Sequence, residues 1–249
     1  MFIRKLTVVA FLFFIISSSV AAEIKERWFG AYLGTQKIGY MCYKIEDIEI
    51  DGAKCYRFSS ILNNQLKMLG TDLSQLVTTV VVADKDMNPM TQDFSMSSGG
   101  RTTAVRARYY PNKVECIVSA GSSSSTKIVP VSEKEKLVVD TLLGVGGSSP
   151  KVGDEITSHY FNPLTLSIDI LKTKVEKKEK ITIAGKEYDA LVLSNETGLG
   201  NMKIWQTEEG DLLQVEAIMG IRMVLEPMEQ AMSGTSNEEQ KDLAILTSI

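Results

Sequence analysis

Lys37-Ile38-Gly39-Tyr40-Met41-Cys42-Tyr43-Lys44-Ile45-Glu46-Asp47-Ile48-Glu49-Ile50 runs into Asp51-Gly52 and returns as Ala53-Lys54-Cys55-Tyr56-Arg57-Phe58, continuing to Lys67. Asp-Gly between two alternating runs signals a hairpin, because the two-residue turn that matches strand twist needs positive φ at both central positions. The turn dictates a register in which Ile50 opposes Ala53, Ile48 opposes Cys55 and Cys42 opposes Ile61. Cys42 and Cys55 then stand six positions apart along the ladder, about 20 Å at the usual strand rise and beyond disulfide reach. Together with Cys116 they read as small buried apolar residues, and their spacing fits neither a structural zinc site nor a redox motif.

Working outward, a period of two persists. Trp28 to Gly34 reads as a strand before the hairpin; Leu76 to Ala83 follows it, and Met90, Gln92, Phe94 and Met96 alternate with their neighbours. In Thr102 to Tyr110, Arg106 and Arg108 fall on one face and Val105, Ala107 and Tyr109 on the other, so one side is wet. Val114 to Ser119 and Thr126 to Val131 come next, with Gly121 and the serines at 122 to 125 expected as a flexible loop between them. Further strands are expected at Glu155 to Phe161, Leu164 to Glu179, Lys180 to Ala184, Glu187 to Glu196, Met202 to Thr207, Asp211 to Ala217 and Ile221 to Glu226. The fold class is all-β: roughly a dozen antiparallel strands in one large curved, half-barrel-like sheet. Lys172 to Lys180, interrupted by Glu176 and Glu179, reads as the solvated face of a strand.

One stretch departs from that period. From Ser132, with Glu133 and Glu135 in the opening turn, Leu137, Val138, Thr141, Leu142 and Val145 recur at helical spacing before Gly146-Gly147, which predicts a short amphipathic helix.

The chain has 249 residues, 44% hydrophobic, 23% charged and 7% aromatic, a globular composition. Arg4 and Lys5, the apolar run Leu6 to Ile16 and small residues to Ala22 read as a secretory signal peptide cleaved after Ala22. Its apolar core is shorter than the roughly 20 residues a membrane span needs. Expected domains are therefore residues 1–22 as signal, 23–228 as β-domain and 229–249 as a flexible tail, with the mature protein periplasmic or secreted and not membrane-spanning. The signal carries two positive charges and no acid, so its loss makes the formal charge more negative than −4, a poor surface for nucleic acid.

Catalytic chemistry finds little support. His159 is the only histidine, which rules out a multi-histidine metal site, and no cofactor motif is present. A thiol nucleophile paired with His159 lacks a motif, because Cys116 sits in a strand-like run without a helix N-terminus or cationic neighbour to lower its pKa. The glycines at 144 to 147 and the stretch Ser97 to Arg101 lack the order of a phosphate loop and read as turns.

Trp28-Phe29-Gly30-Ala31-Tyr32-Leu33-Gly34 with Lys37-Ile38-Gly39-Tyr40 resembles the opening of the periplasmic β-domain that precedes the catalytic domain in bacterial transglutaminase-like proteins. Trp205-Gln206, Gly210-Asp211-Leu212-Leu213, Met219-Gly220-Ile221-Arg222-Met223 and Asp242-Leu243-Ala244 resemble its last strands and exit. Since the catalytic domain of that family would begin where this chain ends, the resemblance implies a non-catalytic accessory or partner-binding module. The pattern is also similar to the half-barrel of periplasmic lipoprotein carriers, an analogy of fold alone.

A strongly curved sheet has a concave face that must be covered, and one short helix cannot cover it all. The alternative expectation is a carrier of an apolar ligand such as an acyl chain, its groove formed by Leu137, Val138, Leu142, Met219 and Met223. A hydrolase using His159 is the weakest reading.

Overall fold

The computed structural model of the chain describes residues 24–68, 71–139, 150–198, 200–217 and 220–234. The Asp51-Gly52 turn forms with φ of 50° and 78°, joining β2 (Gln36–Ile50) to β3 (Ala53–Met68) in the expected register. Ile48 opposes Cys55, Cys42 opposes Ile61, and the three cysteines are free and buried. Around this hairpin lie β1 (Ile24–Leu33), β4 (Thr71–Asp84), β5 (Pro89–Ser98), β6 (Arg101–Tyr110), β7 (Lys113–Ala120) and β8 (Ser123–Pro130). A second meander holds β9 (Glu155–Asn162), β10 (Ser167–Ile183), β11 (Lys186–Thr197), β12 (Gly200–Gln206), β13 (Leu212–Glu216) and β14 (Ile221–Glu226), followed by one helical turn, α1 (Met228–Ala231). Because β1 pairs with β14, the two meanders merge into one antiparallel sheet of 14 strands whose edges are β8 and β9.

Alternation decides which side chains meet inside. Phe29, Met41, Phe58 and Val81 from the first meander pack with Val175, Leu193 and Val215 from the second. Nearer the edges, Phe94, Val105, Val114 and Val129 pack with Phe161 and, partly buried, Ile168. Residues from opposite ends of the strand order touch only if the sheet curls upon itself, so the protein is barrel-like with an open seam between β8 and β9.

The chain after β8 bridges that seam. Val131 N–H donates to the Asn112 carbonyl at 2.9 Å, Val138 N–H donates to the His159 carbonyl at 2.8 Å, and Leu137 forms a parallel bridge with His159. The helix expected from Ser132 is absent from its described part, residues 132–139, where a turn leads into extended chain. Edge strand β9 presents backbone groups that need partners, and pairing with it outweighs the helical spacing of the apolar residues. Leu142 lies outside the described residues.

Other departures are local. The serine run belongs to β8, with Ser123, Ser124 and Ser125 opposing Ala120, Ser119 and Val118; an exposed edge strand needs no apolar alternation to pair. Lys180 to Ala184 continues β10 rather than starting a strand, because a bulge between Val175 and Lys177 shifts the pattern of alternation. The Lys172 to Lys180 run is solvated as expected, with Lys174 paired to Glu155 at 2.6 Å and Lys178 to Glu208 at 2.7 Å.

Where the ends of the sheet's two meanders meet, both faces are covered. On the outer face α1 seats Ala231 against Trp28, Tyr40, Cys42 and Ile61. Beside it the Glu226 carboxylate, 8% exposed, accepts from the Tyr32 hydroxyl and pairs with Lys37 at 2.9 Å. Gly30 makes room for that carboxylate: a Cβ there would lie 2.4 Å from Glu226 Oε2. Gly39 lets β3 approach, since its Cβ would lie 1.9 Å from the Asn63 carbonyl oxygen. Gly30 and Gly39 of the N-terminal motif thus serve packing. The tail boundary expected after residue 228 falls inside α1, and residues 235–249 lie outside those described.

Candidate functional site

Inside the curl, between the inner face of β3 to β6 and edge strand β9, lies a cavity of about 240 Å³. Ser60 and Thr79, a directly opposed cross-strand pair, form part of its floor, and Phe94 stands opposite Thr79 on the next strand. Phe161, Val138 and Val139 form the wall on the seam side. Tyr109 extends the floor, meeting Phe161 edge to face at 6.2 Å between ring centres and donating its hydroxyl to Gln92 Oε1 at 2.6 Å. Burial and the nearby Cys116 push the Tyr109 hydroxyl well above its ordinary range, so it stays protonated and keeps that bond.

The lip is the turn from β9 to β10. Asn162 organises it: its Oδ1 accepts from Leu164 N–H at 3.0 Å, its carbonyl accepts from Leu166 N–H at 2.8 Å, and its Nδ2 donates to Asp169 at 2.7 Å. Pro163 fixes the chain direction after it, and Leu164 is 50% exposed at the rim. Leu164 was expected inside a strand; the Asn-Pro step was the available turn signal.

Of the predicted groove residues, Val138 lines the cavity and Leu137 packs beside it in the cluster around Phe94 and Phe161. Met223 fills the separate core around Phe29, away from the cavity. Leu142 and Met219 lie outside the described residues. Sequence reasoning missed Phe94, Tyr109 and Phe161 as a group, because β6 and β9 meet only through the curl.

His159 stands opposite Ile170 on the same face of β9 as Phe161, half-buried and outside the lining of the cavity. Cys116 donates its thiol to the Lys127 carbonyl at 3.4 Å, and burial pushes that thiol's pKa up. Among the described residues no group of three or more His, Cys, Asp or Glu side chains could hold a metal ion. No described helix is long and apolar enough to cross a membrane.

The profile of the family described as protein of unknown function (DUF3108) matches residues 29–225. The chain belongs to this family. The DUF3108 match spans β1 through β14, covering both the curl and the cavity. The fold is similar to the crystal structure of a β-barrel-like protein of domain of unknown function DUF1849 from Brucella abortus, with a TM-score of 0.60 at 10% identity over 81% of this chain and 95% of that one. No curated protein matches the chain. Neither similarity provides a link to transglutaminase-like proteins.

Proposed function

We propose that this DUF3108 protein is a non-catalytic binding protein that receives an apolar ligand, or an apolar segment of one, in the cavity under its seam. The observation that carries the reading is the lining: Phe94, Phe161, Val138 and Leu164 give a cavity of about 240 Å³ an apolar wall, facing the polar side chains of Ser60, Thr79 and Gln92. Small-molecule sites are concavities that combine apolar walls with placed polar groups, and this one is somewhat smaller than their usual size, as suits a short ligand or one segment of a longer one. The Cys116 thiol, buried, bonded to the Lys127 carbonyl and with its pKa pushed up by burial, supports binding rather than nucleophilic chemistry.

Titration with the uncharged fluorophore N-phenyl-1-naphthylamine tests this. Saturable binding at a stoichiometry near one is expected, weakened at least about tenfold by Val138→Asp, which places an unpaired carboxylate in the wall. Absence of saturable uptake by the folded protein would overturn the reading.

A second reading, an accessory module that docks on a protein partner, draws on the outer face of β7 and β8. There Ile117 and Ile128 are 47% and 59% exposed beside the open strand edge. In that case Ile117→Asp would abolish partner capture and leave dye uptake untouched.

A further inference from the structure

The cavity's charge balance says more about its occupant than its size does. None of the described residues that line it carries a formal charge. The charged groups nearest in sequence to its lining are engaged elsewhere or face away from it, as exposed Arg108 does beside Tyr109. Arg106 and Asp93 pair with each other at 3.0 Å through an arginine side chain that is 80% exposed. Asp169, behind the lip, accepts from Asn162 Nδ2 and from the Ser167 hydroxyl, each at 2.7 Å. A carboxylate or phosphate entering the cavity would lose water without meeting a cation.

Neutral polarity, by contrast, is provided for. Tyr109 gives its hydroxyl proton to Gln92 Oε1; Tyr160 brings a hydroxyl from β9, and the other donors the lining can offer a ligand are the Gln92 amide and the hydroxyls of Ser60 and Thr79. Gln92, Ser60 and Thr79 sit on neighbouring inner strands, opposite the apolar wall of Phe161 and Val138. The arrangement suits a molecule with one hydrogen-bonding end and one apolar body.

We infer that the cavity selects an uncharged amphiphile, an alcohol, ester or amide with a short apolar chain, and rejects the anion of the same chain length. This rests on the ligand-binding reading above. Its test is displacement of N-phenyl-1-naphthylamine by 1-octanol and by octanoate at about pH 8, where a carboxylic acid is ionised. Octanol should displace the dye about a hundredfold more effectively than octanoate, and octanoate should gain strength as the pH falls toward about 5. Gln92→Leu removes the amide donor and should lower the affinity for octanol relative to that for the dye about tenfold, each measured by direct titration. Tyr109→Phe keeps the ring and frees Gln92 Oε1, so octanol should bind at least as well as to the parent protein. Equal displacement by octanol and octanoate at about pH 8 would overturn the inference while leaving a ligand cavity in place. A ratio of octanol to dye affinity unaffected by Gln92→Leu would do the same, whereas failure of the dye to bind the folded protein would overturn both the inference and the binding reading.

Discussion

The region where β1, β2, β3 and β14 meet and the wing formed by β5 to β8 belong to one sheet, yet they are built to different rules. In the first, neighbours along a strand are buried on both faces: Phe29 points into the inner core while Trp28 packs outside under α1. In the wing burial alternates, with Val105 and Ala107 enclosed and Arg106 and Arg108 exposed. The doubly covered region anchors the sheet. The wing, anchored along one side only, encloses the cavity against β9. The space left unfilled lies where the sheet's edges approach each other.

The comparison breaks most severely at Gly39. An alanine Cβ there would meet a backbone carbonyl that cannot turn aside, so Gly39→Ala is expected to cost more than about 4 kcal/mol and to leave little folded protein by circular dichroism. Native-like folding of that variant would show that β2 and β3 are less tightly apposed than described.

Next in size is a matched pair of truncations. Phe29→Ala, deep in the anchor core, should cost about 4 kcal/mol in urea unfolding. Phe94→Ala borders a cavity that already exists and should cost less, about 2 kcal/mol, because fewer contacts surround it. Equal costs would erase the distinction between anchor and wing.

Alkali sharpens the same contrast. Burial pushes the Cys42 thiol up to about 12, and burial with the Glu226 hydrogen bond pushes the Tyr32 hydroxyl up to about 12. Each group holds its proton more firmly folded than unfolded. Their contribution is therefore complete below about pH 9 and is lost as the pH rises through about 12. Tyr109, raised as well, adds to the loss from the wing. Thermal melts from about pH 8 to 12 should show falling stability that begins earlier in the parent than in Cys42→Ala; identical onset would remove the thiol from the account.

The smallest effect belongs to the wing's outer face. Ile117→Ser should change stability by no more than about 0.5 kcal/mol, since Ile117 is nearly half exposed. A larger loss would mean that something covers that surface.

Local chemistry and alternation made much of the anchor and wing legible in sequence. Asp51-Gly52 carries its turn conformation in its own residue types, and the hairpin register follows from it. The alternation of Val105, Ala107 and Tyr109 against Arg106 and Arg108 likewise reports a half-buried strand directly. The cavity was not legible, because Tyr109 and Phe161 lie on strands brought together only by the curl. The stretch around Leu137 and Val138 misled for a related reason. Its apolar spacing fits a helix, but the unpaired edge of β9 offers its backbone a competing partner that sequence periodicity does not register.

Chemical-shift mapping of the isotope-labelled protein with 1-octanol addresses the central claim most directly. Perturbations are expected to saturate together at Phe94, Tyr109, Val138, Val139 and Phe161, with Phe29, Met41 and Met223 unmoved. Shifts concentrated at those three anchor residues, or spread without saturation over both regions, would contradict the assignment of ligand binding to the cavity under the seam.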